Sequence, residues 1–244
     1  MRVIVTSNYE QIGEIAGGMI VKVVQDKPTA TLGLATGTSP EAVYATMIRA
    51  YEQGEVDFSQ THTVNLDEYL GLAPDHPQSY RCFMDRRLFD HINVPRENIF
   101  VASGVGDPQE RVKDFRSFLN RTHVDIQLLG IGEDGHIAFN EPGKVLRNNA
   151  HIADLDGSTI AANARFFESE AQVPRKAISM GMGDIMRASR IILIASGQRK
   201  AKAIAGLIMN EDVDVNNPST ILKMHPDVTV IIDRPLADLV GYTD

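Results

Sequence analysis

Apolar and polar positions along this chain fall into two alternating textures. Short runs rich in β-branched residues, at positions 2–5, 31–35, 63–66, 125–129, 177–180, 190–195 and 228–232, read as strands. Between them lie longer stretches of helical periodicity, near 9–25, 40–53, 78–90, 108–122, 197–209 and 217–223. Strands alternating with helices predict an α/β fold, because parallel neighbours need crossovers and the crossover helices cover both sheet faces. The expected architecture is a Rossmann-like three-layer sandwich with a mostly parallel central sheet. A length of 244 residues suits one domain spanning 1–244. A mobile lid is read at about 155–175, where a polar start, a short helical piece and Pro174 break the alternation.

Ligands of such sheets bind at the carboxyl ends of the strands, so the informative residues stand just after each apolar run. After the second run comes Thr36-Gly37-Thr38-Ser39-Pro40. Ser39 stands in N-cap position, with Pro40 tolerated at the first helical position because no intrahelical acceptor awaits its missing N–H. Free backbone N–H groups at a helix N-terminus favour a phosphate dianion, and the helix dipole adds to that preference. The same residues also suit a plain strand-to-helix turn. No Gly-Lys-Ser/Thr follows, so a nucleoside triphosphate is not indicated.

After the fourth run, residues 130–135 spell GIGEDG, a literal GxGxxG with Asp154 and Asp156 beyond it. A dinucleotide site is not expected here, because the motif should open a long helix and Pro142-Gly143 arrives within two turns. The loop instead holds Asp134, His136, Asn140 and Glu141. A carboxylate two residues from an imidazole, with a second carboxylate five residues on, can orient the ring and tune its pKa for acid/base work. After the third run, period-2 alternation puts Asp67 and Glu68 on opposite sides, so their roles should differ. A carboxylate facing a desolvated cleft becomes a stronger base; solvated turn acids are the other reading, and the residues alone leave both open.

Composition narrows the remaining classes. With 43% hydrophobic and 23% charged residues the chain has an ordinary globular balance. A formal charge of −8 disfavours nucleic acid as a partner. Cys82 is the only cysteine and is read as structural, which excludes an internal disulfide and fits a reducing compartment. Neither a signal-peptide pattern nor a bilayer-length apolar run is present, so a cytoplasmic location is expected. The seven histidines form no HExxH and no GxSxG occurs, so neither a metal site nor a serine hydrolase is expected.

Taken together, LGLATGTSP, NLDEYLGL, SYRCFM, LLGIGEDGHIAFNEPG, ANARFF and GQRKA resemble the glucosamine-6-phosphate deaminase family in content and order, from Val3 to about Ile232. The resemblance implies isomerisation and deamination of glucosamine 6-phosphate to fructose 6-phosphate and ammonia, in amino-sugar catabolism and without a cofactor. It implies that Asp67 is the base that takes the C2 proton of the open-chain sugar. It further implies that His136 opens the pyranose ring, oriented by Asp134 and Glu141. Thr36, Gly37, Thr38 and Ser39 match the phosphate loop, and Arg165 and Lys200 match its cationic ligands. Two proton-transfer groups suit this chemistry, since ring opening and C2 abstraction occur at different atoms while the phosphate anchors the far end.

Hexameric, allosteric members of that family carry an Arg-x-Lys pair where His151 and Ala153 stand here. Such activation is therefore not expected, and the chain is read as a monomer or small homo-oligomer with a small-molecule partner and no membrane partner. The nearest rival is 6-phosphogluconolactonase, whose similar DGH loop typically continues Ser-Leu-Phe-Pro, whereas this one continues Ile-Ala-Phe-Asn-Glu-Pro. A non-catalytic sugar-phosphate sensor is the rival from another class.

Overall fold

A computed structural model of the chain describes residues 1–155, 157, 160, 164, 167, 169 and 172–243. Its strands are β1 (Arg2–Thr6), β2 (Thr31–Leu34), β3 (His62–Asn65), β4 (Asp67–Tyr69), β5 (Ile99–Phe100), β6 (Ile126–Leu129), β7 (His151–Asp154), β8 (Lys176–Ser179), β9 (Ile191–Ala195) and β10 (Val228–Asp233). Seven of them form one sheet in the order β1-β10-β9-β6-β2-β3-β5, and every neighbouring pair is parallel.

Both faces of this sheet are apolar because both are covered. Along β9, Ile192 and Ile194 join one core, with Leu32, Leu128 and Ile231, while Leu193 and Ala195 join the other, with Leu129, Val230 and Ile232. Helices α1 (Tyr9–Asp26), α2 (Glu41–Glu52) and α3 (Tyr80–Arg87) supply Ile12, Met47 and Met84 to the first core. Helix α4 (Pro108–Arg121), the short α5 (Met182–Ile185), α6 (Ala201–Ile208) and α7 (Arg234–Val240) supply Phe115, Ile185, Ile204 and Leu236 to the second. The three expected layers result. No helix among the described residues is long and apolar enough to cross a membrane.

Two expectations need correction. The run at 177–180 is not a member of the parallel sheet: β8 pairs antiparallel with β4 and β7 in a separate three-stranded sheet. The cause is the strand that continues past β3. After Leu66, whose N–H still bonds Leu34 O at 3.2 Å, the chain leaves the main sheet, and β4 takes β8 as its partner. The helix expected at 217–223 is a 3₁₀ run, Pro218–Met224, and α7 lies beyond the last expected element. The lid region at 155–175 falls largely outside the described residues.

Close packing of α1 on α2 sets the position of the loop after β2. A Cβ on Gly13 would lie 2.4 Å from Ala42 Cβ and 2.5 Å from its carbonyl carbon, whereas a Cβ on Gly18 would meet nothing within 4 Å. Gly13→Ala is therefore expected to cost about 1–3 kcal/mol by overpacking. Gly18→Ala should be neutral or stabilising by about 0.5–1 kcal/mol, through helix propensity. Urea unfolding midpoints check both; equal midpoints for the two variants would show that the α1–α2 contact tolerates the methyl.

Candidate active site

Strands β6, β2 and β3 are adjacent, and the loops that follow them carry the sequence-selected residues. From β2 the chain adds β3 and β5 on one side, then β6, β9 and β10 on the other. The crevice between β2 and β6 is thus a topological switch point, where open parallel sheets bind ligands.

The β2 loop presents Thr36, Gly37, Thr38 and Ser39 before α2. Gly37 has φ +92°, in the left-handed region that glycine enters without a Cβ penalty. Among the described residues, the N–H groups of Gly37, Thr38 and Ser39 have no protein acceptor. Ser39 is not the helix cap expected from sequence. Pro40 occupies that place and Ser39 makes no capping bond. The first helical donors are already engaged: Glu41 N–H bonds Thr38 O at 3.4 Å, and Ala42 N–H bonds the Tyr9 hydroxyl at 3.1 Å. Ser39 instead lies over the first residue of the β6 loop, where a Cβ on Gly130 would sit 3.8 Å from Ser39 Cβ.

Tyr9 is a residue that sequence reasoning missed. Its hydroxyl donates to Thr38 O at 2.7 Å while accepting from Ala42 N–H, so it braces the loop from α1. Nothing in the local pattern marks a tyrosine 29 residues upstream. Tyr9→Phe should raise the KM for a phosphorylated sugar by roughly fivefold, the worth of about 1 kcal/mol of net hydrogen bonding, with kcat within about twofold. An unchanged KM in steady-state assays would remove Tyr9 from the loop's support.

Asp67 opens β4 and is buried. Burial pushes its carboxyl up to about 8, the neighbouring charge of Glu68 adds to the rise, and His136 opposes it. Such a group is a far stronger base than a solvated aspartate once ionised. Glu68 faces the other way, as alternation requires. Its Oε1 accepts from Tyr69 N–H at 2.8 Å and Tyr80 N–H at 2.9 Å, and its Oε2 accepts from Arg81 N–H at 3.0 Å.

The β6 loop folds back as a tight turn instead of opening a helix. Gly132 N–H bonds His136 O at 2.9 Å, and Gly135, at φ +90°, returns its N–H to Gly132 O at 3.2 Å. Gly132 has no room for a side chain, since a Cβ would sit 2.3 Å from His136 Nδ1. That nitrogen lies 2.8 Å from Asp134 Oδ1 and 3.2 Å from Glu141 Oε2. Both carboxylates thus converge on a single ring nitrogen. Burial disfavours charge on the imidazole, but the two carboxylates outweigh it and raise His136 to about 9. Asp134 is held well below the usual carboxylate range: burial opposes this, and contact with His136 prevails. Oxygen and nitrogen atoms of Asp134, His136 and Glu141 lie within 4.8 Å of one another, a spacing that a divalent cation could also use.

Further along, Phe139 N–H bonds Ser179 Oγ at 3.1 Å, and Asn140 Nδ2 donates to Ile137 O and Met180 O. These bonds fasten the loop to β8, and so to the sheet that carries Asp67. Lys200 closes a 3₁₀ turn, Gln198–Lys200, after β9, the neighbour of β6. Its neighbour Arg199 reaches Glu133 at 3.1 Å, which ties the two loops together. Arg165 lies outside the described residues. A wide cleft of about 690 Å³, lined by Arg2, Met19, Lys22 and Arg190 among others, sits where β1, β9 and β10 begin. It is at the opposite end of the sheet from these groups.

A doubly covered parallel sheet with a loop of free N–H groups and a carboxylate–imidazole pair at its switch point has the form of a sugar-phosphate enzyme. Comparison makes the class specific: the chain belongs to the family of glucosamine-6-phosphate isomerases and 6-phosphogluconolactonases, whose sequence model matches residues 9–231. It is 46% identical to a glucosamine-6-phosphate deaminase of Thermoanaerobacter pseudethanolicus, over all of this chain and 97% of that protein. It is also 46% identical to one of Clostridium beijerinckii, over 98% of this chain and 100% of that protein. Among solved structures, a monomeric glucosamine-6-phosphate deaminase superposes with a TM-score of 0.95 at 39% identity, covering 98% of this chain and 100% of that one. A 6-phosphogluconolactonase from Leishmania guyanensis, at 18% identity, TM-score 0.73 and 97% coverage of both chains, shares the fold.

Proposed function

We propose that this chain converts glucosamine 6-phosphate and water into fructose 6-phosphate and ammonia; its relatives at 46% identity are named glucosamine-6-phosphate deaminases. The observation that carries the reading is the pairing of a buried, strongly basic carboxylate, Asp67, with an imidazole that two carboxylates keep charged near neutrality. Asp67 opens β4 just after β3 and His136 lies on the β6 loop, at strand ends that flank the anion-ready loop after β2.

In this reading the substrate phosphate takes the N–H groups of Gly37, Thr38 and Ser39, with Thr36 lining the loop and Lys200 and Arg165 adding positive charge. His136, oriented by Asp134 and Glu141, exchanges a proton at the ring oxygen and opens the pyranose. Asp67 then removes the C2 proton, which leaves an enol-amine, and returns a proton at C1. The resulting C2 iminium is hydrolysed by water, so the C–N bond breaks and ammonia leaves. The segment at 155–175 serves as a lid on one domain, and the protein works in the cytoplasm as a monomer or small homo-oligomer.

Incubation of the purified protein with glucosamine 6-phosphate, without metal or nucleotide, should release equal amounts of ammonia and fructose 6-phosphate. 6-Phosphogluconolactone offered in parallel should hydrolyse no faster than in buffer. Lactone turnover without ammonia release would move the chain to the other branch of its family.

A further inference from the structure

Glu68 is a buried carboxylate that the chemistry above does not use. It is 2% exposed, stands one residue from Asp67, and accepts three backbone N–H groups. Two of these belong to Tyr80 and Arg81, the first residues of α3, whose remaining early donor, Cys82 N–H, is met by Ser79 Oγ at 3.0 Å. Burial pushes Glu68 up to about 7 against the pull of these three N–H groups, which it meets as acceptor only, so the carboxylate carries its charge above neutral pH, where Asp67 titrates. On its outer side Glu68 lines a cavity of about 90 Å³ with Leu72, Arg81 and Ser103, room enough for water beside the charge.

We propose that Glu68 is a positioning residue for Asp67: by taking the N-terminal N–H groups of α3, it pins the strand end that carries the base and keeps a negative charge beside it. The inference rests on Asp67 being the C2 base. Ionisable groups facing Asp67 are Glu68 and Tyr69 on its own strand, Tyr80 at the start of α3, and His136 on the β6 loop. The tyrosines are held neutral by burial, far above neutral pH, so the base strength of Asp67 is a balance of burial and Glu68 against His136. Removing the Glu68 charge lowers the proton affinity of Asp67. The acid limb of kcat/KM, where Asp67 loses its proton, then moves to lower pH, and the weaker base turns over more slowly.

The test compares pH profiles of wild type, Glu68→Gln and Glu68→Asp on glucosamine 6-phosphate. Glu68→Gln should shift the acid limb downward by roughly half a unit to one unit and lower plateau kcat several-fold, with KM within about threefold. Glu68→Asp, which keeps the charge, should leave the limb near its wild-type position. A role confined to capping α3 would lower stability in both variants and leave both limbs unmoved, which overturns the proposal. Should Glu68→Gln fail to fold, carboxyl ¹³C titration of the wild type decides: Asp67 should report two coupled steps, the one at lower pH being that of Glu68. A single unperturbed step overturns it. Asp67→Asn in the same series separates the two claims, because an active Asp67→Asn enzyme removes the base, whereas an inactive one beside an unshifted Glu68→Gln limb removes only the tuning.

Discussion

Replacing Asp67 by Asn should reduce turnover of glucosamine 6-phosphate by roughly 10²–10⁴ while substrate affinity stays within about tenfold. The asymmetry follows from the layout of the site. In the proposed reading the phosphate is held by N–H groups on the β2 loop, whereas Asp67 opens β4 in a different sheet, so the substitution leaves that anchor intact. An amide fills the same buried space, and it costs less to bury than a carboxylate that burial has already pushed up to about 8. It cannot accept the C2 proton. Single-turnover rates with binding measured by calorimetry separate the two quantities. Near-normal turnover in Asp67→Asn would remove this residue from the base role.

The second large effect is expected at His136. His136→Gln should cut steady-state turnover by roughly 10²-fold, because ring opening loses its proton carrier while Asp67 remains. The residual rate has a diagnostic shape. Sugars open slowly in water unaided, so a high concentration of the variant should consume the pre-existing open-chain fraction in a small burst and then be limited by spontaneous opening. Asp67→Asn should give no burst. Rapid-quench measurement of ammonia tests this; a wild-type steady rate in His136→Gln would place ring opening elsewhere. Substitution also strands Asp134 and Glu141 beside each other without the imidazole that their contacts hold charged, so the Asp134 carboxyl should rise from its depressed value.

Most of the architecture is legible in the chain because strands covered on both faces must be apolar runs, and their crossovers must be helices. β9 and β10 are the plainest cases, fully buried and β-branched. What such runs do not reveal is their partner. Residues 177–180 look like any other strand of the parallel sheet, yet β8 serves β4, since pairing is a long-range choice with no mark in a four-residue segment. Helix ends follow the same lesson. Ser39 has the residue type and place of a cap, but the donor it would serve is engaged by Tyr9, brought there by α1–α2 packing.

At the site, short-range spacing carries further. Alternation alone separates Asp67 from Glu68, and the structure buries one within the field of His136 and sets the other on the N-terminus of α3. The Asp-Gly-His turn likewise shows its chemistry in sequence, although the convergence of Asp134 and Glu141 on one ring nitrogen depends on how residues 137–141 fold onto β8. Gly132 shows the opposite limit. Its motif suggests a nucleotide loop, whereas its lack of a side chain makes space for an imidazole.

The deciding measurement is a crystal structure of this protein with an open-chain hexitol 6-phosphate bearing an amine at C2. Its phosphate should lie on the N–H groups of Gly37, Thr38 and Ser39, with Asp67 within about 3.5 Å of C2 and His136 on the side where the ring oxygen closes. A phosphate bound away from that loop, or a C2 carbon out of reach of Asp67, would contradict the convergence of the three strand ends on one sugar.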